Sequence, residues 1–214
     1  MMKTGSRSLV IWSALAAVLF PLLFITQGFG RFDFWWWMSA NIAIFLTLSF
    51  LLDSEYIGLL KEDFTSDIWK KSLIGIASAA ALYVVFWLGN IISPFIIPGA
   101  RDGIDGVYHF KNSAPVSRIF WSMVLLIGPG EELIWRGFLQ RHLGDRFGEM
   151  KGLLMATAFY TGIHVFSGNI MLTGAALVCG LFWGFLYFRY RSMLINTISH
   201  TVWDIAVFLL FPFQ

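Results

Sequence analysis

Gly128-Pro129-Gly130-Glu131-Glu132-Leu133-Ile134-Trp135-Arg136-Gly137 places adjacent carboxylates and an arginine inside an otherwise apolar stretch. A charge at the centre of a bilayer costs about 2.5–3.5 kcal/mol on insertion scales, so such residues face a protein interior or a wet cavity and mark a functional site by default. Helical spacing separates their jobs. Glu132 and Arg136 are four apart and share a face, where they pair directly. Glu131 points about a quarter-turn away, and is the acid left free to handle a proton or a water. Pro129, flanked by Gly128 and Gly130, predicts a kink or break. Glu131 and Glu132 would then open a fresh helical stretch whose unpaired N–H groups favour a carboxylate. The competing reading is a structural kink with a buried ion pair.

Histidines on later segments complete a constellation. His164 lies deep in the apolar run Leu153–Phe166, with Tyr160 one turn earlier on the same face. His200 and Asp204 are four apart, so the carboxylate can orient the imidazole or hold a metal-bound water, with Asn196 and Ser199 close by. Each histidine alone also fits a plain polar contact between helices. His109 and His142 fall in expected loops and read as solvated. Glu131, Glu132 and Asp204 against Arg136 leave two net negative charges if both histidines are neutral, too many to leave uncompensated in a low dielectric. A divalent cation such as zinc, held by Glu131, His164 and His200 with an open water position, would balance them. So would protonated histidines or a neutral carboxyl, leaving a glutamate–histidine pair to activate water directly. Charge counting leaves these routes open.

These residues need helices to hold them. Of 214 residues, 57% are hydrophobic and 13% charged, against about 25% charged in soluble domains. The expected fold class is an all-α polytopic membrane bundle of about seven transmembrane helices: Leu9–Ile25, Phe34–Leu52, Ser72–Ile92, Ile119–Leu139, Gly152–Phe166, Met171–Phe188 and Ser192–Phe211. Leu9–Ile25 is longer than a signal-peptide core and lacks a clear cleavage site, so it reads as a retained span. Basic residues at Lys3, Arg7, Lys61, Lys70, Lys71, Arg141, Arg146, Lys151, Arg189 and Arg191 outnumber Arg31, Arg101, Lys111 and Arg118 on the opposite side, which puts the N-terminus in the cytoplasm. The net charge of +2, with no basic stripe and no phosphate loop, is too small to suggest nucleic acid, and none is expected as a partner. Cys179 in its apolar run reads as a small apolar filler. Trp35-Trp36-Trp37 reads as an interface anchor. Asp53–Asp67 is a short interfacial helix or an ordinary connector, and Pro98–Pro115 reads as a plain outer loop, with a cap over a cavity as the alternative.

Glu131-Glu132-x-x-x-Arg136, aromatic-x-x-x-His164 and His200-x-x-x-Asp204, in that order on successive helices, resemble the CPBP intramembrane proteases, a family that includes the CAAX prenyl endopeptidases and bacterial abortive-infection and bacteriocin-immunity proteins. The resemblance covers roughly Arg118 to Leu210. It implies one membrane domain, with residues 1–117 as accessory spans and 118–211 as a four-helix catalytic core. By motif position it implies that Glu131 activates water with His164, while His200 and residue 204 bind the water or metal or stabilise the oxyanion. Tyr160 stands where the motif often has Phe. Asp204 stands where the prenyl proteases typically have Asn, which can donate to an oxyanion as ionised Asp cannot; Asp here suits orienting His200 or balancing a cation. Asp at this position occurs among prokaryotic members, so the resemblance stands, and the expected location is a prokaryotic cell membrane.

The expected function is hydrolysis of a peptide bond in or near the membrane, in a peptide or protein substrate, lipidated or not, with the lipid bilayer as surroundings. The alternatives are a family member that does not cleave and acts as an immunity or regulatory partner, or a proton-coupled transporter. The transporter reading expects paired broken helices, and the sequence has one clear break.

Overall fold

A computed structural model describes residues 6–213. Lys3, counted above for orientation, lies outside the described residues, as does the side chain of Arg7. The chain forms the expected all-α bundle: α1 (Ser6–Thr26), α2 (Phe34–Leu52), α3 (Tyr56–Thr65), α4 (Ile68–Ile96), α5 (Ala100–Tyr108), α6 (Val116–Ser122), α7 (Gly128–Glu132), α8 (Arg141–Phe147), α9 (Glu149–His164), α10 (Ile170–Tyr190) and α11 (Met193–Ile205). A two-residue hairpin, Gly28–Phe29 against Phe32–Asp33, joins α1 to α2. Asp33 caps α2 by accepting from the N–H groups of Trp35 and Trp36.

Among the described residues five helices are long and apolar enough to cross a membrane by length and composition: Ser8–Thr26, Phe34–Leu52, Ile68–Ile96, Ile170–Tyr190 and Met193–Leu210. The other two expected spans differ for physical reasons. α9 has 16 residues, about 24 Å at 1.5 Å per residue, short of the roughly 30 Å hydrocarbon core. Residues 116–147 form one continuous helical rod, but it carries the buried charges.

Of the kink or break expected at Pro129, that rod excludes the break. The helix does not stop; it widens into π-helix at Met123–Ile127 and again at Leu133–Gln140. Gly128 N–H bonds back to the carbonyl of Met123, five residues away. Widening the turn absorbs the ring and the missing donor of Pro129. Glu131 and Glu132 therefore sit inside a helix and not at a free N-terminus, and the helix-dipole stabilisation expected for them does not apply.

α1 and α2 close over one side of the rod. Trp12 packs edge-on against Phe45 at 4.9 Å and Trp135 at 5.7 Å between ring centroids, and Phe20 stacks on Phe45 at 5.3 Å. At Gly130 a Cβ would overlap Ile42 of α2, so glycine permits that close approach. Across the rod, α11 packs against α4, α7 and α10, and α9 against α10 and the rod. Asp53–Asp67 does contain a helix, α3. Its buried Tyr56 donates to the carbonyl of Leu133 in the rod at 2.6 Å.

Two further expectations change. Trp35-Trp36-Trp37 is not a uniform anchor: consecutive helical residues point about 100° apart, and only Trp36 is exposed, while Trp35 is buried and donates to the Phe110 carbonyl at 2.9 Å. Pro98–Pro115 is not a plain loop but α5 followed by a 3-10 turn, His109–Ser113. It is tied down by Tyr108 Oη donating to Val207 O at 3.0 Å, Lys111 Nζ donating to Phe208 O at 3.1 Å and Asn169 Nδ2 donating to Gly103 O at 2.7 Å.

Candidate active site

Glu131, Tyr160, His164, His200 and Asp204 line one cavity of about 340 Å³. The rod supplies Glu131, α9 supplies Tyr160 and His164, and α11 supplies His200 and Asp204. The remaining walls are mostly apolar. Phe24, Phe34, Trp35 and Met38 come from α1 and α2, Phe86 and Gly89 from α4, and Ile104, Val107 and Tyr108 from α5. Segments before residue 118 thus enclose the polar groups, and α5 caps them.

Glu131 is 4% exposed and accepts a hydrogen bond from the phenol of Tyr160 at 2.8 Å on Oε2. Among the described residues this is the one hydrogen bond of its side chain. His164 Nδ1 lies 2.7 Å from the carbonyl of Tyr160. A carbonyl only accepts, so Nδ1 carries the hydrogen and Nε2 is left for a reacting partner. Glu131 and His164 do not bond each other; Tyr160 touches both.

Glu132 and Arg136 form the expected buried pair, Arg136 Nη1 donating to Glu132 Oε1 at 2.8 Å with side-chain exposures of 0% for Glu132 and 3% for Arg136. They stand behind the cavity wall. Arg136 Nη2 donates to the carbonyl of Cys179 at 3.2 Å, and its guanidinium lies 4.9 Å from the centroid of the Tyr160 ring. Glu132 does more than hold Arg136. Its Oε1 also takes Nδ1 of His200 at 2.8 Å, and its Oε2 takes Asn196 Nδ2 at 2.9 Å. His200 Nε2 faces Asp204 Oδ1 at 3.5 Å, as its spacing predicts. Trp183 of α10 stacks on the His200 ring at 3.7 Å between centroids and donates from Nε1 to Ser199 Oγ at 3.1 Å.

The structure brings Glu131, His164, His200 and Asp204 to one cavity with Glu132 and Arg136 behind its wall, and adds three supports that local spacing does not show. The Tyr160–Glu131 bond had a signal, a tyrosine where phenylalanine is common. The Glu132–His200 link joins residues 68 apart, and no local spacing encodes it. Trp183 carries no signal beyond being a large aromatic in an apolar run. Cys179 is buried, as expected of an apolar filler.

Glu131, His164 and His200 do not form a convergent ligand set in this arrangement. Among the described residues no three His, Cys, Asp or Glu side chains are grouped so as to hold a metal ion. As placed, these side chains do not make a metal-ligand group.

No curated protein and no solved structure matches the chain significantly. Residues 113–206, the stretch that carries Glu131, Tyr160, His164, His200 and Asp204, match the family described as type II CAAX prenyl endopeptidase Rce1-like, a match consistent with the resemblance to the CPBP intramembrane proteases carried by the three motifs.

Proposed function

We propose that this integral membrane protein is an endopeptidase that hydrolyses a peptide bond within or beside the bilayer, using a water activated by Glu131. The observation that carries the reading is the convergence of Glu131, His164, His200 and Asp204 on one cavity with mostly apolar walls. Glu131 takes a proton from water as the water oxygen bonds to the peptide carbonyl carbon. That proton passes to the leaving nitrogen as the C–N bond breaks. His164, with Nδ1 engaged by a carbonyl, presents Nε2 to the water or to the tetrahedral intermediate.

Of the ways to balance the site's charge, the geometry favours a His200 with hydrogens on both nitrogens. Each ring nitrogen faces a carboxylate oxygen, and only N–H groups satisfy both. Arg136 and His200 then offset Glu132 and Asp204, and Glu131 is the charge left to work. Apolar walls strengthen every one of these interactions.

The substrate class consistent with the family is a peptide or protein held at the membrane, with or without a lipid on it. We also infer a cytoplasmic N-terminus from the distribution of basic residues in the loops. Purified protein in liposomes, given internally quenched peptides ending in a CAAX-type sequence with and without a prenyl group, tests the function. Cleavage of either, with product masses mapping one bond, supports it. No cleavage of either, by protein that is folded, favours a non-cleaving family member.

A further inference from the structure

The Glu131–His164 pair has no direct bond of its own, yet both members are held by one residue. Tyr160 donates its phenol hydrogen to Glu131 Oε2 at 2.8 Å, and its main-chain carbonyl accepts from His164 Nδ1 at 2.7 Å. Its ring is fixed on three sides. Trp135 lies edge-on at 5.5 Å, the His164 ring at 4.5 Å, and the Arg136 guanidinium 4.9 Å from the ring centroid. Tyr160 is buried and so is Glu131, so no bulk water competes for that carboxylate oxygen. A phenylalanine at this position would keep the ring contacts and the carbonyl bond to His164. It would lose only the hydroxyl.

We propose that Tyr160 is a positioning residue for water activation, its hydroxyl fixing one oxygen of Glu131 so that the other is presented to the water beside His164. This rests on the endopeptidase reading above. The logic is that of an orienting group acting through a base: a hydrogen bond to a buried charged group both fixes its geometry and favours its charged form. The hydroxyl is engaged by Glu131 Oε2, so a positioning role predicts that its removal acts on kcat and not on KM.

The test compares wild type with Tyr160→Phe in liposomes, on the substrate that the wild type cleaves best. Tyr160→Phe should lose roughly 10- to 100-fold in kcat, the range of one hydrogen bond to a charged group, with KM and melting temperature little changed. An independent readout needs no turnover. In infrared difference spectra with ¹³C-labelled glutamate, the carboxylate band that disappears in Glu131→Gln should shift in Tyr160→Phe. An unchanged kcat in a cleaving system overturns the proposal alone. So does a loss of kcat with the Glu131 band unmoved, since the tyrosine would then act elsewhere. A loss matched by a large fall in melting temperature assigns Tyr160 to packing and also overturns it. A wild type that cleaves nothing overturns the endopeptidase reading on which the proposal stands.

Discussion

Glu132 Oε1 and His200 Nδ1 meet at 2.8 Å although they lie 68 residues apart. This bond ties the rod to α11 behind the cavity wall and aims the His200 ring. The same carboxylate serves Arg136 and Asn196. Removing its charge leaves the buried guanidinium without a counter-ion, a change that costs about 3–5 kcal/mol. Glu132→Gln should therefore lower the melting temperature in detergent markedly and abolish activity together with it. A Glu132→Gln protein that melts like wild type would show that this carboxylate is not the structural hub described here.

Close approach of α3 to the rod depends on Gly137. A Cβ there would overlap the hydroxyl of Tyr56, which bonds the Leu133 carbonyl at 2.6 Å. Gly137→Ala should destabilise the protein by about 1–3 kcal/mol, the usual cost of overpacking. Adding Tyr56→Phe, which removes the overlapping oxygen, should recover part of that loss. If the two substitutions simply add in thermal unfolding, the contact does not constrain the packing.

Asp33 gives a pH dependence outside the membrane-spanning segments. Burial by itself would raise its carboxyl. The hydrogen bond and charge of Arg118 and the N–H groups of Trp36 and Trp35 outweigh that and hold it below its ordinary value of 3.8. A depressed folded-state pKa contributes stability that is fully present above the unfolded value and is lost as pH falls through the folded one. Between about pH 5 and about pH 3, wild type should lose more melting temperature than Asp33→Asn, which cannot titrate. Parallel losses in the two proteins would remove the Asp33–Arg118 pair as a source of stability.

Metal dependence follows from the placement of Glu131, His164 and His200, which do not group as a ligand set. Dialysis against a chelator should leave peptide cleavage unchanged, and added zinc should not raise it. Activity lost on chelation and restored by zinc would mean that the working enzyme draws these side chains together.

Much of the site could be read from local spacing, because one turn of helix is a geometric rule. It paired Glu132 with Arg136 and His200 with Asp204, and it left Glu131 on its own face. What it could not supply was contact between helices, such as Glu132 with His200 or Trp183 over the imidazole. Pro129 shows a different limit. A missing hydrogen bond can be met by breaking a helix or by widening its turn, and composition does not choose between them. In α5, Gly103 and Gly106 argue for a loop on propensity. Yet Ile104, Val107 and Tyr108 fall at helical spacing and pack on the cavity, and tertiary burial decides. Composition groups Trp35 with its neighbours as an anchor, although three consecutive helical residues cannot share one face.

The account centres on Glu131 as the group that takes the proton from water. Glu131→Gln keeps the size of the side chain and its capacity to accept from Tyr160 but removes the base. In liposomes, with the substrate that wild type cleaves, cleavage by this variant should fall by about 10²–10⁴-fold, the usual contribution of a general base, with its melting temperature near that of wild type. Cleavage at the wild-type rate by a folded Glu131→Gln protein would contradict the account.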